Sequence, residues 1–204
     1  MLALLKKEFI VNLRIILIST AVYILINIVM YENQFSLYLT IPFVLLVLGN
    51  SDGMDELNHS ERLIASLPVS RDEVVMSKVI FGSLIGFFYI LIISSLNFIL
   101  PNLEANQIGE FIASFILIIF SIVVYQLLFL LFGSRVMKYI IILIYLAFIT
   151  IIPMIVNTRQ YEHLYSLLNN FDLNLILSAL AIIFLILAAL ILRINLKLYQ
   201  AKDL

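Results

Sequence analysis

Much of the charge in this 204-residue chain sits in one stretch, Ser51–Lys78, which reads SDGMDELNHSERLIASLPVSRDEVVMSK. Glu56 and His59 would share a face if that part were helical. A metal site needs further ligands, however, and no H-E-x-x-H or second cluster accompanies them. His59, like His163, therefore reads as a solvated loop histidine. No G-x-S-x-G nucleophile motif occurs. No G-x-x-x-x-G-K-[ST] occurs either, so the chain does not bind ATP through a phosphate-cradling loop. Cys is absent, which removes thiolate metal sites and disulfides.

What the stretch does carry is helix punctuation. Asn58 with Glu61 has the spacing of a capping box, in which two side chains satisfy the unpaired donors of a helix start. A short helix, Ser60–Leu67, would follow, with Leu63, Ile64 and Leu67 on one face. Pro68 ends it, because the residue before a proline avoids helical geometry. Ser70 with Glu73 forms a second capping box, and Asp72 and Glu73 suit the positive end of the helix that begins there. A short amphipathic helix is thus joined by a sharp turn to a newly capped long helix. The plainer alternative is a solvated connector.

The elements around this stretch are set by composition. Hydrophobic residues make up 64% of the chain and charged residues 12%. A soluble domain holds about 45–50% and 25%, so the bilayer is the solvent for this surface. Runs near the ~20 residues that cross a hydrocarbon core predict six spans: 15–31, 35–50, 79–100, 110–133, 138–156 and 173–194. The expected fold is an all-α integral membrane domain over residues 1–204. Pro42 makes the second span, which is also short, the weakest. Lys6 and Lys7 followed by an apolar run resemble a signal peptide, but the run is too long and lacks a small-residue cleavage site.

Basic residues orient the chain. With the N-terminus cytoplasmic, every Lys and Arg except Arg159 falls inside, and both termini and the 51–78 loop are cytoplasmic. Residues 1–14 place Leu2, Leu5, Phe9 and Leu13 near one face. They read either as an interfacial helix or as an extension of the first span. Tight turns are expected at Asn33–Gln34 and Ser134–Met137, a modest outer loop at 101–109, and a longer outer segment at 157–172. There Tyr161, Leu164, Tyr165 and Leu168 recur at helical spacing, as in a segment lying at the outer interface or dipping back into the membrane.

No ionisable residue is expected well inside a span, which argues against an ion-coupled carrier. Asn27, Ser94, Ser95, Asn97, Tyr125 and Gln126 are polar at depth and either line a pathway or hydrogen-bond between helices. Gly82 and Gly86 predict close helix packing. Net charge is −1, and the basic residues sit at helix ends, so nucleic acid is not an expected partner.

Leu67, Pro68, Val69, Ser70 and Arg71, followed by Ser77 and Lys78, resemble a core motif of small bacterial permease subunits of type-2 ABC exporters. LLKKEFIVNLR, residues 4–14, resembles the start of such chains, and the six-span layout covers the whole sequence. The similar groups include permeases of peptide-toxin and phenol-soluble modulin exporters. The resemblance implies a non-catalytic permease in a bacterial cytoplasmic membrane, paired with a second copy or a paralogue. Separate ABC ATPase subunits would hold ATP and Mg, with no cofactor in this chain. It further implies that Ser60–Leu67 is a coupling helix docking in an ATPase cleft through Leu63, Ile64 and Leu67, with Glu61, Arg62 and Arg71 as a polar rim beside Pro68. Tyr161, Leu164, Tyr165 and Leu168 would then form an outer gate. The reading from a different class is a polytopic membrane enzyme or assembly factor without an ATPase.

Overall fold

In a bilayer an apolar run can satisfy its backbone polar groups internally only as a helix or in a closed barrel. Among the described residues every regular element is helical. The structure is a computed structural model describing residues 1–29, 37, 39–58, 70–99, 108–156 and 173–201. It comprises α1 (Leu2–Val29), α2 (Thr40–Leu57), α3 (Arg71–Ile99), α4 (Ile108–Val156) and α5 (Leu173–Ala201). Four segments are long and apolar enough to cross a membrane: Leu2–Val29, Arg71–Leu96, Phe111–Ala147 and Ala179–Ala201. The protein is thus an all-α, polytopic membrane protein.

α1 is unbroken from Leu2 to Val29, so residues 2–14 belong to the same helix as the first apolar run. α4 leaves helical geometry at Gly133, with φ 74° and ψ 176°. That left-handed φ favours glycine. It divides α4 into arms 108–132 and 134–156, at the edge of the expected turn Ser134–Met137. The expected coupling helix, with Glu61, Arg62, Leu63, Ile64, Leu67 and Pro68, lies outside the described residues. So do Tyr161, Leu164, Tyr165 and Leu168 and the turn Asn33–Gln34.

The largest departure from the expected layout is α2. It begins at Thr40 rather than at residue 35, and it runs seven residues beyond Asn50. Both shifts have a physical cause. Starting at Thr40 puts Pro42 in the first turn, where its missing N–H breaks no helical bond. Continuing to Leu57 is possible because the polar residues past Asn50 find partners, described below. α2 is also the most enclosed helix. Phe43, Val44, Leu45, Val47 and Leu48 are all buried, and α1, α3 and α4 pack around it. α5 lies outside this core against α4 and α3, and most of its described apolar residues are exposed, as befits a lipid-facing helix.

Three helices meet through matched stripes. α2 contributes Val44, Leu48 and Asp52, and α3 runs antiparallel with Gly86, Gly82 and Lys78. The first arm of α4 contributes Ile118, Ile122 and Gln126. A Cβ built on Gly86 would stand 2.6 Å from Ile118 Cγ2 and 3.6 Å from Val44 Cγ2. One built on Gly82 would meet Ile122 Cδ1 at 3.0 Å and Leu48 Cδ1 at 3.1 Å. The two glycines therefore let three helices close on one seam, as small residues do in membranes. The third layer of the seam is polar, because Asp52, Lys78 and Gln126 stand where the pattern places them.

Gly86→Val should lower stability by about 1–3 kcal/mol through overpacking against the β-branched Ile118. Gly109→Ala, with nothing within 4 Å of its would-be Cβ, should be neutral. Thermal unfolding of the detergent-solubilised protein compares the two.

Candidate functional site

The polar layer closes one end of the bundle. The Lys78 ammonium pairs with Asp52 Oδ1 and lies 3.2 Å from Asp55 Oδ2. Asp55 also pairs through Oδ1 with Lys7 of α1, whose ammonium is 3.2 Å from Glu8 Oε1. Ser51 donates to Glu8 Oε2. The Tyr125 hydroxyl donates to Asp52 Oδ2 at 2.8 Å. Asn50 reaches α1 as well, donating to Asn12 Oδ1 at 2.9 Å, while Asn12 donates to the Glu8 carbonyl at 2.9 Å. One connected network thus joins α1, α2, α3 and the first arm of α4.

The carboxylates are deeply placed. Glu8 is 2% exposed, Asp52 3% and Asp55 6%. A charge removed from water costs several kcal/mol unless it is paired and its remaining lone pairs are satisfied. Here each carboxylate meets at least one ammonium. Asp52 and Glu8 each accept a hydroxyl bond as well. The Lys78 ammonium also lies 5.8 Å from the Phe129 ring centroid, within reach of its negative face. Beside the pairs is a cavity of about 40 Å³, lined by Asp52, Asp55, Lys78 and Gln126 among others. The amide of Gln126 donates to the Val75 carbonyl at 3.4 Å, and its Oε1 has no hydrogen-bond partner.

The start of α3 adjoins this network. Glu73 N–H donates to Ser70 Oγ and Ser70 N–H donates to Glu73 Oε2, both at 3.2 Å. This is the capping box expected from the sequence. Arg71 donates to the Gln200 carbonyl at 2.6 Å, placing its cation at the negative end of α5. Gln200 in turn donates to Asp72 Oδ1 at 2.7 Å. Arg71 is thus the one predicted docking residue within the described region, and it ties α3 to α5. Asn58, expected to open a short helix, closes α2. Its N–H bonds to the Met54 carbonyl at 3.0 Å.

Asp52, Asp55 and Lys78 fall inside the expected loop 51–78, and Glu8 inside the expected lead-in to the first span. The structure folds all four into helices, three of them with buried carboxylates. The expected end of the second helix at Asn50 therefore fails for residues 51–57, which continue α2, whereas the helix expected from the capping box at Ser70 does begin there. The missed signal is the stripe itself. Val44, Leu48, Asp52 and Asp55 keep one helical face, and Lys78, Gly82 and Gly86 keep its antiparallel match. Of the polar residues noted at depth, Asn27 and Ser95 bond to carbonyls one turn back on their own helices, at 2.8 Å each. Tyr125 and Gln126 reach other helices. The side chain of Asn97 lies outside the described residues.

A family model described as ABC-2 family transporter protein matches residues 3–200 of the chain. No curated protein and no solved structure matches it.

Lys78→Met should cost about 3–5 kcal/mol, since it strands buried carboxylates. Tyr125→Phe, which removes one bond to a charged acceptor, should cost about 1.5–3 kcal/mol. Lys78→Met combined with Asp52→Asn should cost less than the sum of the two single changes, as expected for partners in one network. Melting of all four variants in one detergent reads the coupling.

Proposed function

We propose, from the premise that this chain belongs to the ABC-2 family of transporter proteins, that it is the membrane-spanning, non-catalytic permease subunit of an ATP-driven exporter. The supporting observation is where the segment 59–69 is hung. It is joined to Asn58, the C-cap of α2, on one side and to Ser70, the capping residue of α3, on the other. The ends of these two helices are bound to each other by Lys78 with Asp52 and Asp55, and to α1 by Lys7 with Asp55. A force applied to that segment therefore does not reach one flexible helix end. It reaches a body of three helices held by buried charges, with α5 joined through Arg71 and Gln200.

In this reading Ser60–Leu67 is the coupling helix. Leu63, Ile64 and Leu67 dock on the ATPase, Glu61, Arg62 and Arg71 form the polar rim, and Pro68 supplies the turn. ATP and Mg are held by the partner ATPase subunits. Closure of those subunits draws the coupling helices of two permease chains, identical or paralogous, and shifts the two membrane halves against each other. The six spans are α1, α2, α3, the two arms of α4 and α5. The charged end faces the cytoplasm of a bacterial cell, following the basic residues. Tyr161, Leu164, Tyr165 and Leu168 form the outer gate, and the cargo is an amphipathic peptide, lipid or drug-like molecule. Family membership favours this reading over a membrane enzyme or an assembly factor.

Replacing Leu63 and Leu67 together by Asp should abolish co-purification of the ATPase while membrane insertion is unchanged. Co-purification at the wild-type level would refute the docking assignment.

A further inference from the structure

A second cavity, of about 310 Å³, lies on the other side of Tyr125 from the ionic network, between α2 and the post-kink arm of α4. Its volume is at the lower end of the range for small-molecule sites. Its lining is graded along the bundle axis. Near the charged end stand Asn50, Ser134 and Lys138, and deeper in stand Leu46, Ile141 and Ile142. Lys138 lies over α2, since a Cβ on Gly53 would be 3.8 Å from its Cε. Lys138 and Ile142 are exposed, so the groove opens sideways to the bundle surface. That surface continues as Tyr139, Leu143 and Leu146, all exposed and apolar in the main. Arg135 is one turn before Lys138 on the same face and is also exposed. Among the described residues, neither cation has a carboxylate partner, although the adjacent network holds four ion pairs.

We propose that this groove binds an anionic membrane phospholipid, with its headgroup phosphate on Lys138 and Arg135 and an acyl chain along Leu46, Ile141 and Ile142. Three features favour this occupant. The groove opens onto an exposed, largely apolar face of the bundle. Its polarity falls in the direction in which a phospholipid's own polarity falls. Among the described residues the two cations have no carboxylate partner, and each cation near an anionic headgroup surface adds about fivefold to binding.

The groove also touches the ionic network, most directly through Tyr125. The Tyr125 ring lines it while the Tyr125 hydroxyl holds Asp52. A chain packed on that ring fixes the rotamer that keeps the Asp52 bond, so the lipid steadies the body of three helices. The inference does not rest on the exporter reading, and its test needs no ATPase.

The test is native mass spectrometry of the full chain in mild detergent, titrated with phosphatidylglycerol or with phosphatidylcholine of the same acyl chains. Phosphatidylglycerol should bind at least about fivefold more tightly. Lys138→Gln should remove most of that preference. Ile142→Trp, at an exposed position that fills the groove, should weaken both lipids. Arg193→Gln, an exposed cation on α5, should change neither. Equal binding of the two lipids by the wild type would overturn the proposal. So would an equal effect of Arg193→Gln and Lys138→Gln, which would mean a diffuse charged collar. If Ile142→Trp instead dissociated a dimer and left lipid binding intact, a second copy of the chain would be the occupant and the proposal would fall. Phosphatidylglycerol with a photoreactive acyl chain gives a second readout. Crosslinks should map to the peptide holding Met137 to Ile142, and crosslinks on α5 alone would contradict the site.

Discussion

A carboxylate can sit at the end of a membrane helix bundle, out of water, only if a cation is held against it. In this protein two lysines from different helices do that for three carboxylates, and most of the charged end follows from it. α2 can remain helical past Asn50 because Asp52 and Asp55 meet Lys78 and Lys7. α1 must then lie where Lys7 and Glu8 reach the end of α2. α3 must lie in the one register that brings Lys78 to Asp52. Once that register is set, Gly82 and Gly86 fall opposite Leu48 and Val44 with no free choice left. The electrostatic layer and the steric seam are therefore one constraint seen at two depths. Hydrophobic matching alone would not fix it, because apolar side chains in lipid gain little by choosing one apolar neighbour over another.

Outside that body lie the post-kink arm of α4 and α5. Gly133 breaks α4 with a left-handed φ, so the post-kink arm is aimed independently of the first arm. α5 meets the bundle mainly through α4 and through the Arg71 and Gln200 bonds at its end. Tyr125 has its hydroxyl in the ionic layer and its ring in the groove beside the kink.

The sequence displayed the membrane class through composition and the helical runs through their length. The capping box at Ser70 and Glu73 and the tight packing at Gly82 and Gly86 were also legible, because each depends on residues a few positions apart. The true ends of α2 were not. Counting apolar residues stops at Asn50, since Ser51, Asp52 and Asp55 look like loop residues until Lys7 and Lys78 are brought to them from 45 residues upstream and 26 downstream of Asp52. The same limit hid the candidate site. Glu8 looks like an interfacial residue beside two lysines, and only the folded chain shows it buried against Ser51. Pro42 misled in the opposite direction, casting doubt on a helix that in fact uses it in its first turn.

Hydrogen–deuterium exchange of the purified chain, wild type beside Lys78→Met, tests the central claim most directly. If buried charges hold the end of α2, the wild-type amides of residues 51–57 should exchange nearly as slowly as those of 43–48. Lys78→Met should then speed exchange in 51–57 by at least about tenfold while leaving 43–48 protected, the pattern of a locally opened unit. Equal exchange in the two proteins over 51–57 would show that the helix end stands without the ion pairs, and the account of a charge-locked body would be wrong.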